Sequence, residues 1–586
     1  MRHGMNTKRP AADGASQNGR LNLDWSTAVI AGLAAAGVRD VVVSPGARST
    51  PLTLACLRHP ALRCEIVLDE RSAAWFALGR VKADGRPVAL VCTSGTAAAN
   101  WLPAVVEASQ RALPLLLLSA DRPPELQGWG ANQTIAQGAL FAGQVRASHA
   151  PGAPFAGFSP AWLHQLAARA LADCRWPLPG PVHLNLAFRE PLLPAEPAID
   201  FGADAAATID TRPPTLTPDR AAVAMLAERL SGRRGVIVCG EGADDATGNG
   251  GTAVDTAVDT VGDSFADAVT ALAAVLACPI LAEPLSGLRF GPHCHDRVFT
   301  AHERWLREAP VAPDWVLRFG AWPVTRTLQA LLADCETHYL VEAHGRWPDP
   351  EHRTRQLLRG DPTLAARALA EARPAPAPAA WLEGFRAREA AAEARHEAAA
   401  ASASLPPEAI LFSALCARLP AGSQLFCGNS MPIRDLAAWS GGSTTPIRIH
   451  ANRGASGIDG NIATAAGIAA SGPTVAVIGD LTAQHDLGSL ALMRKQPLVL
   501  VVINNGGGGI FDFLPTAALP EFEAAWLTPQ QLDFASAATA FGIAFARCDN
   551  PLEAVSRCLA ALDARAPLLI ELCVDRRQSL GLRRAQ

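Results

Sequence analysis

Thr474-Val475-Ala476-Val477-Ile478-Gly479-Asp480-Leu481 and Leu498-Val499-Leu500-Val501-Val502-Ile503-Asn504-Asn505, the latter running into Gly506–Gly509, are the two segments on which the fold turns. Each is an unbroken apolar run, rich in β-branched residues, that stops at a polar residue. Runs of that kind are strands buried on both faces, the mark of a parallel sheet covered by helices. Ligands of such sheets bind beyond the carboxyl ends of the strands, so Asp480 and Asn505 should face one crevice. An Asp carboxylate, an Asn carbonyl and a backbone carbonyl are hard oxygen donors. Two phosphate oxygens and a water would complete an octahedron around Mg²⁺. The glycines would let the backbone approach a diphosphate closely and donate N–H groups to it. Taken singly, Asp480 also reads as a helix cap and Asn504-Asn505-Gly506 as a plain turn. The paired placement at two strand ends favours the metal–diphosphate reading.

Outward from this pair the same grammar recurs. Asp40–Ser44, Val88–Cys92, Leu115–Ala120 and Val182–Leu186 read as buried strands early in the chain. Gly235–Cys239, Ile280–Ala282, Trp315–Phe319 and His338–Glu342 follow, then Gln424–Cys427, Thr474–Ile478, Leu498–Ile503 and Leu568–Val574. Helical periodicity alternates with them, at Trp25–Val38, Arg48–His59 and Arg71–Ala83. The fold class is α/β, with three doubly wound parallel-sheet domains. The expected division is a disordered leader at 1–20 and domains at 21–195, 210–372 and 404–586, with a linker and helix at 373–403. Asp244–Asp263, rich in Gly, Thr and Asp, reads as a mobile surface insertion.

Composition narrows the function classes. A net charge of -4 over 586 residues gives no electrostatic case for nucleic acid. The 13 cysteines include no CxxC pair, which favours reduced thiols over disulfides or a structural zinc. No run of apolar residues is long enough to span a membrane, and the cytoplasm is the expected location. A nucleotide-binding oxidoreductase or a non-catalytic α/β binding protein is the competing class. Ser44-Pro45-Gly46-Ala47-Arg48, after the first strand, is not the dinucleotide fingerprint.

Leu68-Asp69-Glu70-Arg71-Ser72 puts Glu70 where a strand gives way to a helix, which by itself suits an acid favoured by the helix dipole. The Gly479-Asp480 … Asn504-Asn505 pattern resembles the thiamine diphosphate motif, with Leu481 where many members have a second glycine. That resemblance implies cofactor contacts from Gly479, Leu481 and Asp480, and Mg²⁺ (or Mn²⁺) ligation by Asp480, Asn505 and the Gly507 carbonyl. It also implies that Glu70 activates the cofactor through its aminopyrimidine, beside Thr93, Ser94 and Gly95.

Five further segments are more specific. They are Ser44–Leu52, Asp121–Leu126, Gly130–Ile135, Gly428–Arg434 and Asn452–Gly460. With them the chain resembles the menaquinone-pathway 2-succinyl-5-enolpyruvyl-6-hydroxy-3-cyclohexene-1-carboxylate synthase family, from about residue 24 to the C-terminus and least between 200 and 400. The resemblance implies a thiamine-diphosphate-dependent transferase that decarboxylates 2-oxoglutarate and adds the succinyl carbanion to isochorismate. It makes the first domain pyrimidine-binding and the third diphosphate-binding. Both substrates are dicarboxylates, a task suited to guanidinium groups.

By resemblance, Arg48, Gln133, Ser430 and Arg434 contact substrate, Arg122 and Arg453 complete a basic pocket, and Glu70, Arg48, Arg434 and Arg453 carry the catalysis. Ser456 and Ile458 support the cofactor, and Ile510, Phe511 and Leu514 form an apolar lid. The family carries Lys-Arg in its middle-domain substrate loop where this chain has Thr325-Arg326, so only Arg326 is carried over there. Ala47 and Gly509 likewise replace a common serine and glutamine. An acetolactate-synthase-like carboligase or 2-oxoacid decarboxylase is the nearest rival; it would share Glu70, Asp480 and Asn505 but not the arginines. Because Glu70 and the metal ligands lie in different domains, the resemblance further implies a homodimer or homotetramer with sites at the subunit interface.

Overall fold

The computed structural model describes residues 12–201, 209–243 and 264–585. The expected insertion Asp244–Asp263 lies outside the described residues. The chain separates into two compact units, residues 1–81 with 85–213, and residues 82–84 with 214–586.

The first unit holds one six-stranded sheet: β1 (Asp40–Val43), β2 (Arg63–Ile66), β3 (Val88–Cys92), β4 (Leu115–Asp121), β5 (Ala147–His149) and β6 (Val182–Ala187), in the order β2-β1-β3-β4-β6-β5. All neighbours are parallel. The strand order reverses between β1 and β3. The loops that leave these two strands are Ser44–Ser49 and Thr93–Gly95, so this switch point is where a ligand crevice belongs.

The second unit holds two more sheets of the same kind. One comprises β7 (Gly235–Cys239), β8 (Ile280–Ala282), β9 (Val298–Phe299), β10 (Trp315–Phe319), β11 (His338–Glu342) and β12 (Thr354–Arg359), in the order β12-β11-β10-β7-β8-β9. The other comprises β13 (Gln424–Cys427), β14 (Arg448–His450), β15 (Thr474–Gly479), β16 (Leu498–Asn504), β17 (Ala544–Cys548) and β18 (Leu568–Cys573), in the order β14-β13-β15-β16-β18-β17. Its switch point falls between β13 and β15, which deliver Gly428–Ser430 and Asp480 to one crevice. Arg289, fully buried, ties the two sheets' surroundings together: its Nε donates to Ala282 O (2.8 Å) and its Nη1 to Ala437 O (2.9 Å).

The leader expected at residues 1–20 is corrected for its second half. Residues 1–11 lie outside the described residues, but the helix Ala12–Ala36 begins well inside the supposed leader. The polar composition that suggested disorder is put to use: Asn18 Nδ2 donates to Glu190 O (3.2 Å) and Arg20 Nη1 to Ala198 O (3.1 Å). Gly19 lies so close to the Leu193 backbone that a Cβ would stand 2.3 Å from it. All thirteen cysteines are free. Among the described residues no helix is long and apolar enough to cross a membrane.

Candidate active site

In the first unit, Glu70 opens the helix Glu70–Asp84, but the cap is its neighbour. Asp69 Oδ1 accepts from the backbone N–H of Arg71 (2.9 Å) and Ser72 (3.4 Å). Glu70 is thus released from capping and is half-buried. Its charge lies close enough to Cys92, the last residue of β3, to add to the burial that raises that thiol's pKa. The helix start and the Thr93–Gly95 loop are therefore neighbours.

That loop is tightly determined. Gly95 takes φ +78°, and a Cβ there would come within 2.8 Å of the Gln133 side chain. Gln133 Nε2 donates to Ser94 O (2.8 Å), and Arg122 Nη1 donates to Gln133 O (2.9 Å) and to the Ser94 hydroxyl. Burial, with the nearby Arg48 charge second, lowers the Arg122 pKa. Arg48 itself is 7% exposed, and its Nη2 is paired at 2.7 Å with Glu190, whose side chain is 71% exposed. The structure thus gathers Arg48, Ser94, Gly95, Arg122 and Gln133 in one place, with Glu190, which sequence reasoning missed, as the counter-ion.

In the second unit, Asp480 follows β15 directly and is buried. Its Oδ1 accepts from Leu481 N (2.7 Å) and its Oδ2 from Gly507 N (2.8 Å), which joins the two strand-end loops. Burial pushes its carboxyl up to about 6, against the pull of those N–H donors. Asn504 is committed elsewhere, its Nδ2 donating to Glu571 (2.7 Å). Asn505 is not, since its Oδ1 is buried without a hydrogen-bond partner. An orphaned buried acceptor beside a buried carboxylate is costly unless a cation completes it. The donor set of Asp480, Asn505 and the Gly507 carbonyl consists entirely of hard oxygens and fits Mg²⁺ or Mn²⁺.

One expectation needs correction here. The glycine N–H groups are not free to cradle a diphosphate: Gly506 N donates to Asn504 Oδ1, Gly507 N to Asp480, Gly508 N to Leu527 O and Gly509 N to Gly507 O. These glycines serve steric and conformational needs instead. Gly507 takes φ +134°, and a Cβ on it would stand 2.2 Å from Leu527 O.

A cavity of about 470 Å³ is lined by Arg326, Met431, Arg434, Ile510, Phe511 and Leu514. Arg434, on the helix Met431–Trp439, donates from Nη1 to Ser430 O (2.5 Å). Burial first, then the charges of Arg453 and Arg326, lower its pKa. Arg434 and Arg326 share this cavity, and Arg453 is near enough for its charge to act on Arg434. Arg453 does not line this cavity; its Nη1 donates to Asn429 Oδ1 (2.8 Å). Ser456 takes φ +61° in the same loop, and Ile458 remains 37% exposed, which a plain core isoleucine would not.

Thr325 carries no charge to the cavity. Its hydroxyl donates to Glu303, a buried carboxylate whose pKa burial raises. Thr325→Val, nearly isosteric, should cost about 1–3 kcal/mol by leaving that acceptor short of a donor. A denaturation midpoint measures it. Sequence reasoning also missed Glu303, Arg304, Arg307, His396 and Arg583, all of which line the cavity. For the first three, the one trace in the sequence is the charge-dense stretch Glu303–Glu308.

Comparison with known proteins agrees with this geometry. Residues 23–140 match the thiamine pyrophosphate enzyme N-terminal TPP binding domain, and residues 439–572 the C-terminal TPP binding domain. The fold is shared with benzoylformate decarboxylase from Polynucleobacter necessarius, with a TM-score of 0.66 at 18% identity over 94% of this chain and 98% of that one. The protein is thus a thiamine diphosphate enzyme.

A 2-succinyl-5-enolpyruvyl-6-hydroxy-3-cyclohexene-1-carboxylate synthase from Dechloromonas aromatica is 48% identical over 94% of this chain and 99% of its own. One from Chloroflexus aurantiacus is 41% identical over 87% and 86%. The chain belongs to the 2-succinyl-5-enolpyruvyl-6-hydroxy-3-cyclohexene-1-carboxylate synthase family.

Proposed function

We propose that this protein decarboxylates 2-oxoglutarate and adds the succinyl unit to isochorismate in menaquinone biosynthesis, with a Mg²⁺ ion, replaceable by Mn²⁺, held by Asp480, Asn505 and the Gly507 carbonyl. It works in the cytoplasm as a homodimer or homotetramer. Thiamine diphosphate, when bound, supplies the electron sink that decarboxylation needs. The protein's own groups bind, orient and exclude water. Ile510, Phe511 and Leu514 make one wall of the cavity apolar, which favours a step that disperses charge.

The observation that carries the substrate assignment is that Arg326 and Arg434 line one cavity, with Arg453 held near them through Asn429. Among the described residues none of the three is ion-paired with a carboxylate, so an anionic ligand is what they await. Arg434→Ala should raise KM for one dicarboxylate substrate by roughly 10- to 100-fold, the worth of a charged hydrogen bond. Steady-state kinetics with each substrate varied in turn reads this out.

The deciding experiment is identification of the product by mass spectrometry with 2-oxoglutarate, isochorismate, thiamine diphosphate and Mg²⁺. Turnover of pyruvate alone, with 2-oxoglutarate inert, would favour the acetolactate-synthase-like rival.

A further inference from the structure

The last helix, Arg576–Ala585, presents Arg576, Ser579 and Arg583 at i, i+3 and i+7, hence on one face. Each of the three meets a buried carboxylate. Arg576 Nη1 pairs with Asp512, which is 8% exposed and sits in the short helix Gly509–Phe513 with Ile510 and Phe511. The same guanidinium lies 6.0 Å from the centre of the Phe522 ring. Ser579 Oγ lies 3.0 and 2.8 Å from the two oxygens of Glu408. Arg583 reaches Glu408 through Nη2 (3.1 Å) and Asp435 through Nη1.

Asp435 is 2% exposed and adjoins Arg434 on the helix Met431–Trp439. Between this face and the metal-site loop lies a small cavity lined by Met431, Asn505, Gly509, Asp512, Arg576 and Arg583. Apolar side chains would hold a terminal helix at least as firmly, because buried ion pairs give back much of their attraction in desolvation. What ion pairs add is a fixed register of one element on another. Here the registered elements are the apolar lid and the helix that aims Arg434.

We propose that Arg576 and Arg583 are positioning residues for the site, Arg576 holding the lid in place through Asp512 and Arg583 orienting Arg434 through Asp435. This rests on the cofactor and substrate readings above.

The test uses the full-length protein with thiamine diphosphate and Mg²⁺ titrated calorimetrically. Arg576→Ala and Asp512→Asn should each weaken cofactor binding about tenfold, and the double variant no more than either alone, as expected of one coupled pair. Arg576→Lys, which keeps the charge, should fall between wild type and Arg576→Ala and guards against a folding defect. Limited proteolysis within residues 509–518 should quicken in Arg576→Ala. Arg583→Ala should leave the cofactor Kd within about twofold and raise a substrate KM about tenfold or more, and Asp435→Asn should do the same, because Arg583 acts through Asp435 on Arg434. A KM raised in Arg583→Ala alone would make Arg583 a direct cavity contact and overturn its positioning role.

Lowered melting temperature with unchanged Kd, KM and proteolysis would make the helix a structural anchor only and overturn the inference. So would additive effects in the double variant. A wild-type protein that bound no thiamine diphosphate would overturn the cofactor reading itself and this inference with it.

Discussion

Asp480→Ala is expected to weaken Mg²⁺-dependent binding of thiamine diphosphate by roughly two to three orders of magnitude while leaving the sheet intact. The carboxylate is the only anionic group in the proposed ligand set, and it sits at the end of β15 with both oxygens in use. Its removal costs the metal its charged ligand and strips Leu481 N and Gly507 N of their acceptor. The Gly507 loop, which also contributes a carbonyl, loses its tie to β15. Removing one partner of a buried charge pair costs about 3–5 kcal/mol, so cofactor affinity should fall on the order of 10²- to 10³-fold or more. Titration calorimetry at saturating Mg²⁺ measures the loss directly. Asp480→Asn keeps the shape but not the charge, and should fall by nearly as much. If instead either variant bound within a few-fold of wild type, the metal site would have to be sought elsewhere.

How far the sequence reveals this molecule depends on where a strand lies in its sheet. Among the described residues, the twelve strands legible from apolar runs are the twelve interior strands. Of the other six, β5, β9, β12, β14 and β17 escaped, and β2 was read only as the strand that ends before Glu70; together they are the two edges of each sheet. The physical reason is plain in the residues. Leu115–Leu118 of β4 is buried on both faces and reads as a strand at sight, whereas Arg63-Cys64-Glu65-Ile66 of β2 is largely exposed. Edge strands need polar and charged positions to stay monomeric and soluble, so they lack the apolar signature.

The site divides along a similar line. Residues that follow a strand directly, such as Asp480 and Asn505, were legible because strand ends and ligand crevices coincide in this fold. Their partners were not. Glu190 against Arg48, Glu303 against Thr325 and Arg583 against Asp435 join positions 142, 22 and 148 residues apart. Nothing local encodes such pairs. Asp69 and Glu70 show the finer limit: two adjacent acids stand at one helix start, and only the coordinates show that Asp69 takes the capping role.

That division of labour makes Glu70→Gln the second decisive substitution. Because Asp69 holds the helix start, the exchange leaves the cap, the helix Glu70–Asp84 and the Thr93–Gly95 loop undisturbed. The amide is isosteric but cannot exchange a proton as a carboxylate does. Proton transfer by a positioned side chain contributes about 10²–10⁴ in rate, so kcat should fall by that order with cofactor affinity changed little. The contrast with Asp480→Ala, which fails at binding, is the signature: one variant binds without turning over, the other binds far more weakly.

Mixing the two inactive proteins then tests the assembly. If each site takes Glu70 from one protomer and Asp480 from its partner, random exchange makes half the dimers mixed, each with one intact site of two. Activity should recover to about a quarter of wild type. No recovery after subunit exchange has been verified by native mass spectrometry would place both groups of a working site on the same chain. Full binding and full turnover in Glu70→Gln would remove that carboxylate from the chemistry altogether.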